Sequence, residues 1–252
     1  MRGWRAAWRL LRALVHALHG LAIVLLVFPR LDPAARRDRV RWWARRMLDC
    51  LGIGLEVRGD FKAGAKMIVA NHVSWVDILV VHAVHPEARF VSKAEARGWP
   101  LISRLVDAGG TLYIERERKR DAMRVVHRCA DALRAGDTVA VFPEGTTGPG
   151  HDLLPFHANL LQAAIAVSAP LQPVALRYSD PGHAVSPAAL WVGTTTLAGT
   201  LRRLVSANGL VAHLRILPAR GTAHADRRRL AEAVRIEIGE SLAALDLQHR
   251  PT

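Results

Sequence analysis

The sequence predicts an α/β domain, a mixed central sheet with helices on its faces, preceded by a two-helix motif suited to a membrane surface. Three observations lead there. Half of the 252 residues are hydrophobic, enough to bury a large core. From Ile53 onward, short β-branched runs alternate with amphipathic stretches, the pattern of strands connected by crossing helices. The chain also carries a net charge of +13, and that charge sits at one end. Residues 1–46 hold eleven arginines against two acids, a net +9, which leaves +4 for the remainder.

The basic end is also apolar. Leu10 to Phe28 is interrupted only by Arg12, His16, His19 and Gly20. As a helix it would measure roughly 28 Å, close to the ~30 Å of a hydrocarbon core. Arginines flank both ends, so either a span or a segment dipping into one leaflet fits. Phe28-Pro29-Arg30 offers no small-residue cleavage site for a signal peptide. A second helix follows Pro33, with Val40, Trp43, Ala44, Met47, Leu48 and Leu51 on one stripe and arginines on the other faces. Basic helices edged with tryptophan suit anionic lipid headgroups. Residues 1–51 therefore read as a membrane-anchoring unit and 52–252 as the domain that carries the chemistry. A nucleic-acid binder would need a basic stripe across the folded domain, which is nearly neutral, so nucleic acid is not expected as a partner.

Within the domain, strands are expected at 53–58, 66–70, 88–91, 111–114, 138–142, 171–177 and 210–217. Helices are expected at 75–84, 99–107, 119–135, 156–168 and 223–245. The stretch 181–199, rich in Gly, Pro, Ser and Thr, is the loosest. Cys50 and Cys129 make neither a disulfide framework nor a zinc motif and suit a reducing compartment. No metal set is apparent in the histidines.

Two clusters carry chemistry. Asn71-His72-Val73-Ser74-Trp75-Val76-Asp77 follows an apolar run, where a strand exits into a helix, and active sites of α/β folds favour that edge. His72 can act as a general base with Asp77 fixing its tautomer. Within one regular helix the two would point about 140° apart. They meet only if His72 precedes the helix and Asp77 lies in its first turn. Ser74-x-x-Asp77 also reads as a capping box, which would make Asp77 structural. The second cluster, Phe142-Pro143-Glu144-Gly145-Thr146-Thr147-Gly148-Pro149-Gly150, reads either as a tight turn or as a glycine-rich anion cradle.

Together, Asn-His-x4-Asp and, some seventy residues later, Phe-Pro-Glu-Gly-Thr resemble the glycerolipid acyltransferase family, and within it the bacterial lysophosphatidic acid (1-acylglycerol-3-phosphate) acyltransferases. Phe90–Glu95, Trp99-Pro100 and Gly110–Arg116 look like that family's second block, and Gln172–Arg177 like its fourth. The resemblance covers roughly residues 50–220. It implies an enzyme that transfers an acyl chain from an acyl-CoA or acyl carrier protein thioester to the free hydroxyl of lysophosphatidic acid. The product would be phosphatidic acid for phospholipid biosynthesis, at the cytoplasmic face of the inner membrane and with no cofactor. By the same resemblance His72 is the base and Asp77 its partner. Arg116 binds the acceptor phosphate, Glu144, Gly145 and Thr146 place the acceptor, and Lys93 and Asn71 line the site. Many family members have an arginine where Thr147 stands here. That missing cation leaves another lyso-lipid, such as lyso-ornithine lipid, as the alternative acceptor.

Overall fold

The structure is a computed structural model that describes residues 2–93, 100–114 and 119–248. Seven strands form one sheet: β1 (Ile53–Arg58), β2 (Lys66–Ala70), β3 (Ala88–Lys93), β4 (Leu112–Ile114), β5 (Thr138–Val141), β6 (Leu171–Ser179) and β7 (Leu210–Ile216). Their order is β1-β7-β6-β2-β5-β3-β4. Every pairing is parallel except β6 with β7. The central strands are covered on both faces, and every residue of β2, β5 and β6 is buried. Such strands read as continuous apolar runs. Strand β7 instead alternates buried and half-buried residues.

The two faces receive alternate side chains. Ile68 and Ala70 of β2 pack with Val174, Leu176 and Tyr178 of β6 in one core, and Met67 and Val69 pack with Ala175 and Val141 in the other. The first core is closed by α2 (Pro33–Leu51), α3 (Val76–Val84) and α7 (Leu197–Ser206). The second is closed by α5 (Lys119–Arg134), α6 (Gln162–Ala166) and α8 (Arg227–Gln248). Helix α4 (Pro100–Ala108) lies beside α1 (Arg2–Ala22).

The amino-terminal region departs from expectation in a useful way. Helix α1 starts at Arg2, well before Leu10, and continues through a π turn and a 3-10 turn to Arg30. Asp32 caps α2 by accepting from the Ala35 amide at 2.8 Å, with Pro33 in the first turn. Ala44, Met47, Leu48 and Leu51 of the α2 stripe lie buried in the first core. That stripe therefore faces protein, not lipid. The exposed apolar surface of this region comes mostly from α1 and its extension, with Trp4, Trp8, Leu11, Leu14, Val15, Leu18, Leu25 and Leu26, and α2 adds Trp42.

Two helices differ from the periodicity. The helix expected at 156–168 shrinks to Gln162–Ala166. The backbone before it is committed elsewhere, because the Leu154 amide donates to Glu144 and the His157 amide to the Pro143 carbonyl. Helix α7, at the end of the stretch read as loose, was not anticipated. Thr196 caps it by accepting from the Gly199 amide at 3.1 Å, and Leu204 and Val205 anchor it in the core.

Candidate active site

Strands β2, β5 and β6 are neighbours and parallel, so their carboxyl ends open on one edge of the sheet. Asn71-His72 leaves β2 there, Phe142-Pro143-Glu144 leaves β5, and Tyr178 stands near the end of β6. This edge is the crevice where α/β sheets place ligands.

His72 lies in the loop before α3, and Asp77 is in the first turn of that helix. The His72 Nδ1 and the Asp77 Oδ2 are 2.8 Å apart. The same Oδ2 accepts the Val73 amide at 2.7 Å and the Ser74 amide at 3.0 Å. Oδ1 accepts the Tyr178 hydroxyl at 2.6 Å. Asp77 is wholly buried, whereas the His72 side chain keeps 20% of its exposure. In the neutral ring, with Oδ2 as acceptor, Nδ1 carries the proton and Nε2 the lone pair. The imidazole stacks on the Phe142 ring at 4.1 Å and 10°, and that ring stacks on Phe90 at 5.5 Å. The histidine is thus held in one plane by apolar contacts and in one tautomer by Asp77. Asp77 thus ties down the start of α3 through the Val73 and Ser74 amides and also contacts the histidine ring, while the Ser74 hydroxyl makes no capping bond.

Glu144 is buried and spends both oxygens on the backbone. Oε1 accepts the His72 amide at 2.7 Å and Oε2 the Leu154 amide at 2.9 Å. Burial pushes its carboxyl above the ordinary value, against the lowering effect of those two amides. This geometry makes Glu144 a support of the histidine loop: each oxygen accepts one backbone amide and keeps further acceptor capacity. The Gly148 amide donates to the His72 carbonyl at 2.7 Å, and a Cβ on Gly148 would sit 2.9 Å from Glu144 Oε2. A side chain at Gly148 would therefore push the Glu144 carboxylate off the Leu154 amide. Gly145 turns the chain at φ +72°, and Thr146 is exposed beside it.

Asn71 is held by the backbone in the same way. It is buried, and its amide group exchanges two hydrogen bonds with the Leu176 backbone, at 2.9 and 2.7 Å. It ties the end of β2, next to His72, to β6. Lys93 ends β3, and Arg116 lies outside the described residues. The Thr147 hydroxyl donates to the Trp191 carbonyl.

Sequence reasoning missed Tyr178 and Trp191. Tyr178 stands one residue beyond the block Gln172–Arg177, but its partner Asp77 is 101 residues away, and no local pattern records that contact. Burial raises the Tyr178 hydroxyl well above its ordinary value, and the nearby Asp77 carboxylate raises it further, so it stays a donor. Trp191 donates its amide to the Val73 carbonyl at 3.2 Å, from a stretch that looked loose.

The family model described as Acyltransferase matches residues 55–177, the span that contains both clusters. The lyso-ornithine lipid O-acyltransferase of Pseudomonas aeruginosa is 35% identical over 215 residues, 83% of this chain and 82% of that protein. The 1-acyl-sn-glycerol-3-phosphate acyltransferase of Neisseria meningitidis serogroup B is 38% identical over 150 residues, 59% of this chain and 58% of that protein. The crystal structure of the 1-acyl-sn-glycerophosphate acyltransferase from Thermotoga maritima superposes with a TM-score of 0.71 over the whole of both chains at 19% identity, which establishes the shared fold. With a relative this similar along most of its length, and the family's span centred on the His72 and Glu144 loops, the chain belongs to the acyltransferase family and is an acyltransferase.

Proposed function

We propose that this enzyme transfers an acyl group from an acyl-CoA or acyl carrier protein thioester to the free hydroxyl of a lyso-lipid. The observation that carries this reading is the His72–Asp77–Tyr178 arrangement. Nε2 of His72 is oriented, is lone-pair-bearing and stands at the partly open edge of the sheet. It takes the proton of the acceptor hydroxyl as that oxygen attacks the thioester carbonyl. The ester C–O bond forms, the C–S bond breaks, and the departing thiolate receives the proton from the imidazolium. Asp77 balances the imidazolium charge while it lasts. No acyl-enzyme is needed. The two cysteines are buried.

Two acceptors are proposed, for different reasons. Lysophosphatidic acid is supported by the motif blocks and by the Neisseria relative. In this reading Arg116 grips the phosphate with two donors, and Lys93 lines the site. The product would be phosphatidic acid, and the reaction a step of phospholipid biosynthesis. Lyso-ornithine lipid is supported by the relative that aligns over 83% of the chain and by Thr147. That residue offers no cation, and its hydroxyl is spent on Trp191. An ornithine head group has no phosphate to neutralise. The enzyme would work at the inner membrane's cytoplasmic face, with membrane lipids against the exposed tryptophans and leucines of α1. Residues 1–51 would then provide the anchor and 52–252 the chemistry.

The test is acylation of a panel of lyso-lipids by the purified protein, with one acyl-CoA and in parallel with the same acyl chain on acyl carrier protein. Transfer to either acceptor, lost in His72→Ala, supports the reading, and the higher kcat/KM names the acceptor. No transfer to any lyso-lipid, or transfer by His72→Ala at the wild-type rate, overturns it.

A further inference from the structure

The histidine loop is not held by its own strand ends alone. A strap formed by residues 185–192 lies over it. The Trp191 amide donates to the Val73 carbonyl, one residue after His72, and the Trp191 carbonyl accepts the Thr147 hydroxyl, three residues after Glu144. Val185 and Leu190 close against Gly150, where a Cβ would meet them at 3.0 and 3.4 Å. The strap thus spans both clusters at the sheet edge.

The strap is held in turn by α7. The Arg203 guanidinium of that helix donates to the Leu190 carbonyl at 2.6 Å. Helix α7 is held by α1, because Arg9 donates to the carbonyls of Val205 and Ala207 at 3.2 and 2.6 Å. These carbonyls, at the end of α7, are among the acceptors that a helix leaves unsatisfied, and a cation there also complements the helix dipole. Arg9 also rests on Gly52, which ends α2 at φ +77°. A Cβ there would sit 2.2 Å from the guanidinium carbon. One half-buried side chain therefore joins α1, α2 and α7. A continuous series of contacts runs from the helix that carries the exposed tryptophans to the backbone beside His72.

We infer that Arg9 and Arg203 are positioning residues for the acyl transfer. Through α7 they fix the Leu190–Trp191 strap on the histidine loop, so that α1 is a working part of the active site and not a detachable anchor. This rests on His72 being the base, as proposed above. Its consequence is that loss of Arg9 harms turnover even when no membrane is present. A loop displaced by a fraction of an ångström from its productive geometry loses rate without losing substrate.

The experiment measures turnover of a short-chain, monomerically dispersed lyso-lipid, whichever of the two acceptors the wild type uses, with whichever of acyl-CoA and acyl carrier protein thioester serves as its donor, and no vesicles. Arg9→Ala and Arg203→Ala should each lower kcat roughly tenfold with acceptor KM within about twofold. Arg9→Lys should recover part of the loss, because an ammonium reaches one of the two carbonyls. The two links act in series, so the double variant should lose about as much as the worse single one. Arg203 is exposed, and its variant should retain the wild-type Tm. If Arg9→Ala fails to fold, Arg203→Ala decides alone. Wild-type kcat in Arg203→Ala, or losses in the double variant that multiply, overturns the inference. An inactive wild type overturns the functional reading instead, before any variant is compared.

Discussion

Asp77 reaches His72 from five residues away, Oδ2 to Nδ1 at 2.8 Å, while its other oxygen is held by Tyr178 from 101 residues away. The carboxylate therefore has two duties with different signatures. His72→Ala removes only the proposed base. It should lower kcat at least a hundredfold and leave Tm within a few degrees. Asp77→Asn should lower both. Its amide nitrogen must face either the Tyr178 hydroxyl or the Val73 and Ser74 amides, and each unpaired buried donor costs about 1–3 kcal/mol. Equal stability losses in the two variants, measured by thermal unfolding, would refute the division of roles.

Glu144 separates substrate placement from loop support. In Glu144→Gln one of the two backbone donors, the His72 or the Leu154 amide, loses its acceptor. Stability should fall by about 1–3 kcal/mol, and kcat should fall while acceptor KM stays near the wild-type value. A rise in KM with unchanged kcat would return Glu144 to the acceptor site.

His82 predicts a pH dependence. Burial holds its imidazole down, at about 4 instead of 6.5, against a raising contribution from the Pro86 carbonyl. The unfolded chain takes up the proton near pH 6.5, and the fold does not until about pH 4. Stability is therefore complete above pH 6.5 and drains away as pH falls through that window, by about 3 kcal/mol at most. His82→Leu removes the titration. From pH 7 to pH 5 the wild-type Tm should drop more than that of the variant, and parallel curves would count against the assignment.

The lipid face can be tested without disturbing the core. Leu11, Val15 and Leu18 are each more than half exposed on α1. Replacing all three by serine should weaken partition onto anionic vesicles roughly a hundredfold, with Tm unchanged. Undiminished partition would place the contact elsewhere. Deleting residues 1–46 is the poorer experiment, because it removes Arg9 and the buried Ala13, His16 and Ala44 and should destabilise the domain.

Much of the molecule was legible in its residues. The parallel, buried strands β2, β5 and β6 read as apolar runs because both of their faces are covered. The His72 and Glu144 clusters stood out because histidine, carboxylate and glycine residues directly follow apolar runs, which the structure shows as the ends of β2 and β5. The +9 and the apolar run at the amino terminus were legible too, since charge and hydropathy are properties of composition, and they support the proposed contact with anionic lipid. What only the tertiary structure decided depends on partners far apart in the chain. Asn71 and Glu144 became supports because the Leu176, His72 and Leu154 backbone groups reached them first. Tyr178, Trp191 and Arg9 gained their places from neighbours on other elements. The α2 stripe turned to protein because α3 and the sheet stood there to receive it. Local pattern determines which groups a segment can offer. Packing determines which of them are already spent when substrate arrives.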